Sequence, residues 1–116
     1  MGAMFLAFQE VSMKPRQNLD ALIEKHPEIY EAYARFGKAV HDQGGPLDEK
    51  TRWLVKVAVS ATVGVAKAQL THMIKAREAG CTPDEVEHAL LLIAPTAGFP
   101  RMMEAMERFR DYLKEA

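Results

Sequence analysis

The chain has 116 residues, with 15 Lys and Arg against 16 Asp and Glu, a formal net charge of −1 and one cysteine. That length is one domain of modest core, the balanced charge argues against a nucleic-acid surface, and a lone thiol excludes an internal disulfide or a thiol-built zinc site. The longest apolar stretch, residues 54–68, is interrupted by Lys56, Ser60, Thr62 and Lys67, so no membrane span is expected. Met1 to Ala7 is apolar but lacks a basic lead and runs straight into Gln9 and Glu10, so no signal peptide is expected. A soluble cytoplasmic protein is the expectation, a reducing compartment fitting the cysteine usage.

The pattern along the chain is helical almost throughout. Residues 1–17 read as an N-terminal extension and 18–116 as one helical domain. Asn18 is placed to cap a short helix through Leu22 and Ile23 that stops before Pro27. Ile29, Tyr33, Phe36 and Val40 then recur at i, i+4, i+7 and i+11, one face of an amphipathic helix. Gly44-Gly45-Pro46 stops it.

Asp48 offers a cap for the next helix, in which Leu54, Val57, Ala58, Ala61 and Val65 form one stripe and Val55, Val59 and Val63 another. A helix apolar on most sides is expected at the centre of its fold. Its β-branched residues also permit a strand, but the run is long and holds no turn signal. Gly64 marks a break or a close backbone approach. A helix over 66–79 follows, with Gly80 as its C-terminal cap.

Thr82-Pro83-Asp84-Glu85 is the clearest start signal: an N-cap, a proline at the first helical position and a capping-box glutamate. Cys81 and Val86 hold the two staple positions around it. Val86, Ala89, Leu90 and Ile93 share that helix's buried stripe, and Pro95 with Thr96-Ala97-Gly98 ends it. Pro100 opens the last helix, where Met102, Met106, Phe109 and Leu113 share a face. The joins are short. The fold class expected is all-α, a single-domain bundle of about six helices.

From about Tyr30 to Pro100 the chain resembles the carboxymuconolactone decarboxylase / alkyl hydroperoxidase D-like family. Three pieces carry the resemblance: GGPLDEKTRWLVKVAVSATVG from Gly44 to Gly64, HMIKAREAGCTPDEVEHALLLIA from His72 to Ala94, and AGFP from Ala97 to Pro100. The resemblance implies an alkyl hydroperoxidase D-like helical fold and a homo-oligomer, a trimer or hexamer. The peroxidase branch carries Cys-x-x-Cys-x-x-x-His, and counting back from His72 puts Val65 and Ala68 where its thiols stand. That branch also has a glutamate about 12 residues earlier, near Trp53 here. Attack on a peroxide needs a thiolate and a second thiol to resolve the sulfenic acid, so this chain reads as a divergent member without that mechanism.

The decarboxylase branch needs no cysteine pair, and AGFP is similar to its tail. His72 is therefore the candidate catalytic residue, an imidazole able to move protons near neutral pH. Gln69, three residues earlier on the same helix, is the candidate substrate-binding residue, placed to orient the imidazole or meet a carboxylate. The ordinary alternative for each is a satisfied or solvated side chain. The function expected is a lyase acting on a small lactone or organic acid; the alternatives are a non-catalytic small-molecule-binding or structural oligomer and, less favoured, alkyl hydroperoxide reduction.

Cys81 sits just outside a helix N-terminus, where the dipole can favour a thiolate, but its staple contact with Val86 is the preferred reading. Glu85 and His88 are too few for a metal, and His26 and His41 are expected in solvent. No metal, no other cofactor and no membrane or nucleic-acid partner is expected. Met73, Met102, Met103, Met106, Trp53, Tyr30, Tyr33 and Phe36 read first as packing; Arg52 and Arg101 are the cations expected nearest a pocket.

Overall fold

The computed structural model describes residues 15–115. Residues 1–14 of the expected N-terminal extension lie outside that range. The chain divides into two compact units, residues 1–44 and 45–116.

In the first unit, α1 (Pro15–Lys25) and α2 (Pro27–Gln43) pack against each other. Asn18 lies inside α1 rather than capping it. His26 alone breaks the two helices apart, at φ −135° and ψ 65°. Pro27 cannot donate to the preceding turn, while His26 N donates to the Leu22 carbonyl at 2.7 Å and Tyr30 N to the His26 carbonyl at 3.2 Å. The amphipathic face of α2 is where the periodicity puts it, yet α2 has no buried residue.

The second unit holds α3 (Glu49–Val63), α4 (Ala66–Glu78), α5 (Pro83–Leu91), the single turn α6 (Ala94–Ala97) and α7 (Phe99–Glu115). Among the described residues no strand occurs, and the chain is all-α. Asp48 caps α3 by accepting from Thr51 N at 2.8 Å. Gly64 ends α3 at φ 82° and returns its N–H to the Ser60 and Ala61 carbonyls, a left-handed cap that suits glycine. With only Gly64 and Val65 between them, α3 and α4 form a helical hairpin, the most extensive packing in the unit. Gly80, at φ 97°, turns the chain out of α4, two residues after the helix ends. At α5 the capping box forms in full: Glu85 N donates to Thr82 Oγ1 at 3.1 Å and Thr82 N to Glu85 Oε1 at 2.8 Å.

The core lies among α3, α4, α5 and α7. Val57 and Ala61, Met73 and Ala76, Val86 and Leu90, Ile93, and Met102, Ala105, Met106 and Phe109 are buried, with Cys81 at its edge. Trp53, Leu54, Ala94 and Tyr112 pack against it from a half-buried position. Three expectations change. Only one stripe of α3 is covered, and Val55, Val59 and Val63 stand exposed. Val65 and Leu113, expected in buried stripes, are exposed as well. Pro95 opens α6 rather than ending a helix, a place where a proline's fixed φ is helical already.

Candidate functional site

The α3–α4 hairpin brings Trp53, Lys56 and Ser60 to one side of α3, at i, i+3 and i+7, against His72 on α4. His72 Nδ1 lies 3.0 Å from the Lys56 carbonyl and 3.1 Å from Ser60 Oγ. A carbonyl oxygen only accepts, so Nδ1 carries the proton in that bond. Ser60 Oγ, in a residue only 5% exposed, directs its own hydrogen to the Lys56 carbonyl at 2.8 Å or the Val57 carbonyl at 3.1 Å. It thereby turns a lone pair to the imidazole. In the neutral ring the basic lone pair is consequently on Nε2. The Nδ1–H bond persists when the ring becomes imidazolium, so the ring can gain and lose a proton at Nε2 without turning.

An aromatic ring neighbours the imidazole, and a cation lies over that aromatic. The Trp53 ring centre is 6.0 Å from that of His72, tilted at 43°, and Lys56 Nζ sits 4.5 Å from the Trp53 ring centre, within cation–π range. His72 is half-buried. Val65 and Ala68, the positions of the peroxidase thiols, fall at the cap and first turn of α4, about two turns and one turn before His72.

Gln69 takes a different position from the one expected. It is fully buried, and its amide is engaged on both sides. Nε2 donates to the Ala105 carbonyl at 2.9 Å, and Oε1 accepts from Arg108 Nε at 2.6 Å. Arg108 also reaches the Ala61 carbonyl at 3.4 Å. The side chain therefore ties α4 to α7, and through Arg108 to α3, instead of facing His72 or a substrate. Residues three apart share a helix flank, but the path of α7 decides where the amide turns.

Trp53, Lys56 and Ser60 are the members of this cluster that the residue patterns do not single out. Their i, i+3, i+7 spacing is a signal, but it is shared by every packed helix face.

Cys81 is buried in the same cluster as Val86 and reaches the start of α3, its Sγ 3.7 Å from the Lys50 carbonyl. Burial pushes the thiol pKa above its ordinary value, and the nearby Glu85 carboxylate adds to the rise. The staple reading fits, and a reactive thiolate does not. Glu85 is held below the usual carboxylate range by the Thr82 backbone N–H and then by Lys50, whose Nζ is 3.2 Å away. Asp48 is lowered by its bonds to Thr51. Arg101 lies against Gly64 and Glu104, and Arg52 bonds the Leu47 carbonyl.

A separate groove of about 510 Å³ runs along α3, α5 and α6, lined by Leu54, Val55, Val59, Val63, Leu92 and their neighbours, with Glu85 and His88 as its charged or titratable members. At 100° per residue this α3 face is centred roughly a third of the way round the helix from Trp53, Lys56 and Ser60, with Val63 next to Lys56 at its edge. His72 does not line it. Among the described residues no group of His, Cys, Asp and Glu could hold a metal ion, and no helix is long and apolar enough to cross a membrane.

Comparison with known proteins agrees with this architecture. Uncharacterized protein MJ1511 of Methanocaldococcus jannaschii is 37% identical over 93 residues, covering 80% of this chain and 86% of its own. Uncharacterized protein MJ0742 of the same organism is 26% identical over 95 residues, covering 78% and 88%. The profile of the carboxymuconolactone decarboxylase family matches residues 27–111, from the start of α2 into the last helix. The chain belongs to the carboxymuconolactone decarboxylase family.

Proposed function

We propose that this protein is a lyase-type enzyme that acts on a small lactone or organic acid by proton transfer at His72. The observation that supports the reading is the bond from His72 Nδ1 to the Lys56 carbonyl; with Nδ1 committed there, the reading puts the proton transfer at Nε2. In a decarboxylation the bond to the carboxylate carbon breaks, carbon dioxide leaves, and the electron pair is held as an enolate until the imidazolium returns a proton to carbon. Lys56, whose Nζ lies over the Trp53 ring that neighbours His72, is the cation this reading draws on to offset the developing negative charge. Peroxide reduction is disfavoured by Val65 and Ala68 at the start of α4 and by the burial of Cys81. A lone buried thiol also suits a reducing, cytoplasmic setting.

A thermal-shift screen of lactones and acids from aromatic breakdown, followed by turnover assays of each stabilising compound, tests the reading. A ligand at 100 times its dissociation constant stabilises the native state by about 2.7 kcal/mol. The expected result is a stabilising compound that is also consumed, with turnover falling at least about 100-fold in His72→Ala. Turnover that survives His72→Ala refutes the assignment of the residue. A compound that binds and stays unchanged favours a binding protein on this scaffold.

A further inference from the structure

Three hydroxyls on the α3–α4 hairpin bond the carbonyl four residues back in their own helix: Ser60 to Lys56 at 2.8 Å, Thr62 to Ala58 at 2.7 Å and Thr71 to Lys67 at 3.0 Å. Of the three only Ser60 is buried, and only its hydroxyl also meets another side chain among the described residues, His72 Nδ1 at 3.1 Å. The helix itself does not call for a serine there. Alanine has the better propensity, and a back-bonded hydroxyl slightly weakens a helix. Burying a hydroxyl also costs more than burying a methyl group. We propose that Ser60 is a positioning residue of this site, a fixed acceptor that holds the imidazole with Nδ1–H turned inward and favours its protonated form. Ser60 thereby deepens the proton-transfer reading of His72, on which its part in turnover rests.

The sharing of acceptors shows how. A carbonyl oxygen has two lone pairs. One of those on Lys56 serves the ladder of α3, whose N–H groups bond back four positions. The other has two suitors, the His72 Nδ1–H at 3.0 Å and the Ser60 hydroxyl at 2.8 Å. The hydroxyl has a second acceptor of its own, the Val57 carbonyl at 3.1 Å. Turned there, it leaves the Lys56 carbonyl to the imidazole and presents a lone pair to the same Nδ1–H. That N–H then has two acceptors, and both bonds strengthen when the ring is charged. The other neutral tautomer sets the Nδ1 lone pair 3.0 Å from the Lys56 carbonyl oxygen, a repulsive contact.

The charged groups around the ring are the same whatever stands at position 60. Lys56 is on the facing helix, with its ammonium over Trp53. Lys75, on the same helix as His72, pairs with Glu78 at 3.6 Å. From α7, Arg108, Asp111 and Glu115 line the opposite flank of α4 with Leu70. From α5, Glu85 and His88 line the groove, which His72 does not. A change at His72 on altering Ser60 therefore reports the hydroxyl. A bond to a charged partner is roughly twice as strong as a neutral one, so losing this acceptor should weaken proton binding at His72 roughly three- to tenfold.

Protein labelled with nitrogen-15 in its histidine rings and titrated by NMR tests this without any substrate. The chain has 4 histidines, and His72→Gln identifies the His72 signals by their loss. The unaltered protein should show a neutral ring protonated on Nδ1. Ser60→Ala should keep its helical circular dichroism and lower the His72 titration midpoint by roughly 0.5–1 pH unit, the same three- to tenfold loss. Ser60→Thr should restore the midpoint, since threonines on this hairpin already form the back-bond. Thr62→Ala, whose hydroxyl bonds Ala58 instead, should leave it in place. An unmoved or raised midpoint in Ser60→Ala overturns the role of Ser60. So does a neutral ring protonated on Nε2, a threonine variant that behaves as the alanine one, or an equal fall in Thr62→Ala. Failure of the lyase reading looks different: no lactone or acid is consumed, while the midpoint still falls in Ser60→Ala.

Discussion

Replacing Gln69 by leucine tests whether this residue holds the helices or serves the site. The side chain is fully buried, and the substitution deletes its bonds to the Ala105 carbonyl and Arg108. The neutral bond contributes about 1 kcal/mol and the bond from the guanidinium about 1.5–3 kcal/mol. Leucine recovers part of this by burying an apolar side chain of similar size. The net expected loss is about 2–3 kcal/mol. Urea unfolding followed by circular dichroism reads it as a fall in midpoint of roughly 1–2 M, with the slope unchanged. A cycle with Arg108→Ala should show a coupling of at least about 1 kcal/mol, since each change removes the same bond. Gln69→Glu discriminates further: it keeps an acceptor for Arg108 but sets a carboxylate oxygen against the Ala105 carbonyl, so it should also destabilise. A midpoint within about 0.3 M of the unaltered protein for Gln69→Leu would refute the reasoning and leave Gln69 free to contact substrate.

Two further outcomes follow from local geometry. Gly64→Ala should destabilise by roughly 1–2 kcal/mol, because φ is 82° there and the added Cβ meets Arg101 Nη1 at 2.8 Å; Gly64→Asn should cost less, and equal effects in thermal melts would contradict the left-handed cap. Cys81 should react slowly with a thiol reagent at neutral pH and fully in denaturant, since burial raises its pKa above the ordinary thiol value. Its neutral form is favoured by folding, so that contribution is intact below the unfolded thiol's pKa and fades as pH climbs through the folded value; immediate labelling of the native protein would contradict it.

Much of the secondary structure is legible in the residues. The capping box at Thr82 and Glu85, the Asp48 cap, and the turns at Gly64 and Gly80 all form, because each depends on bonds within a few residues of chain. His72 is legible only through the family motif. Its partners are not: the Lys56 carbonyl and Ser60 are 16 and 12 residues away, and the hairpin alone brings them within reach.

What lies within a turn of helix is written in the chain. That covers the helix starts and stops, the spacing of apolar faces, and the absence of a thiol pair in the two turns before His72. What covers a face is not written there, because periodicity states which residues share a side and leaves open which surface meets it. Both stripes of α3 are apolar by residue type, yet only the one through Val57 and Ala61 meets α4, α5 and α7. Gln69 has the residue type of a ligand contact, and the passage of α7 over α4 makes it a buried tie. Tertiary structure decides both, since a buried amide must find its partners wherever the packing of distant segments places them.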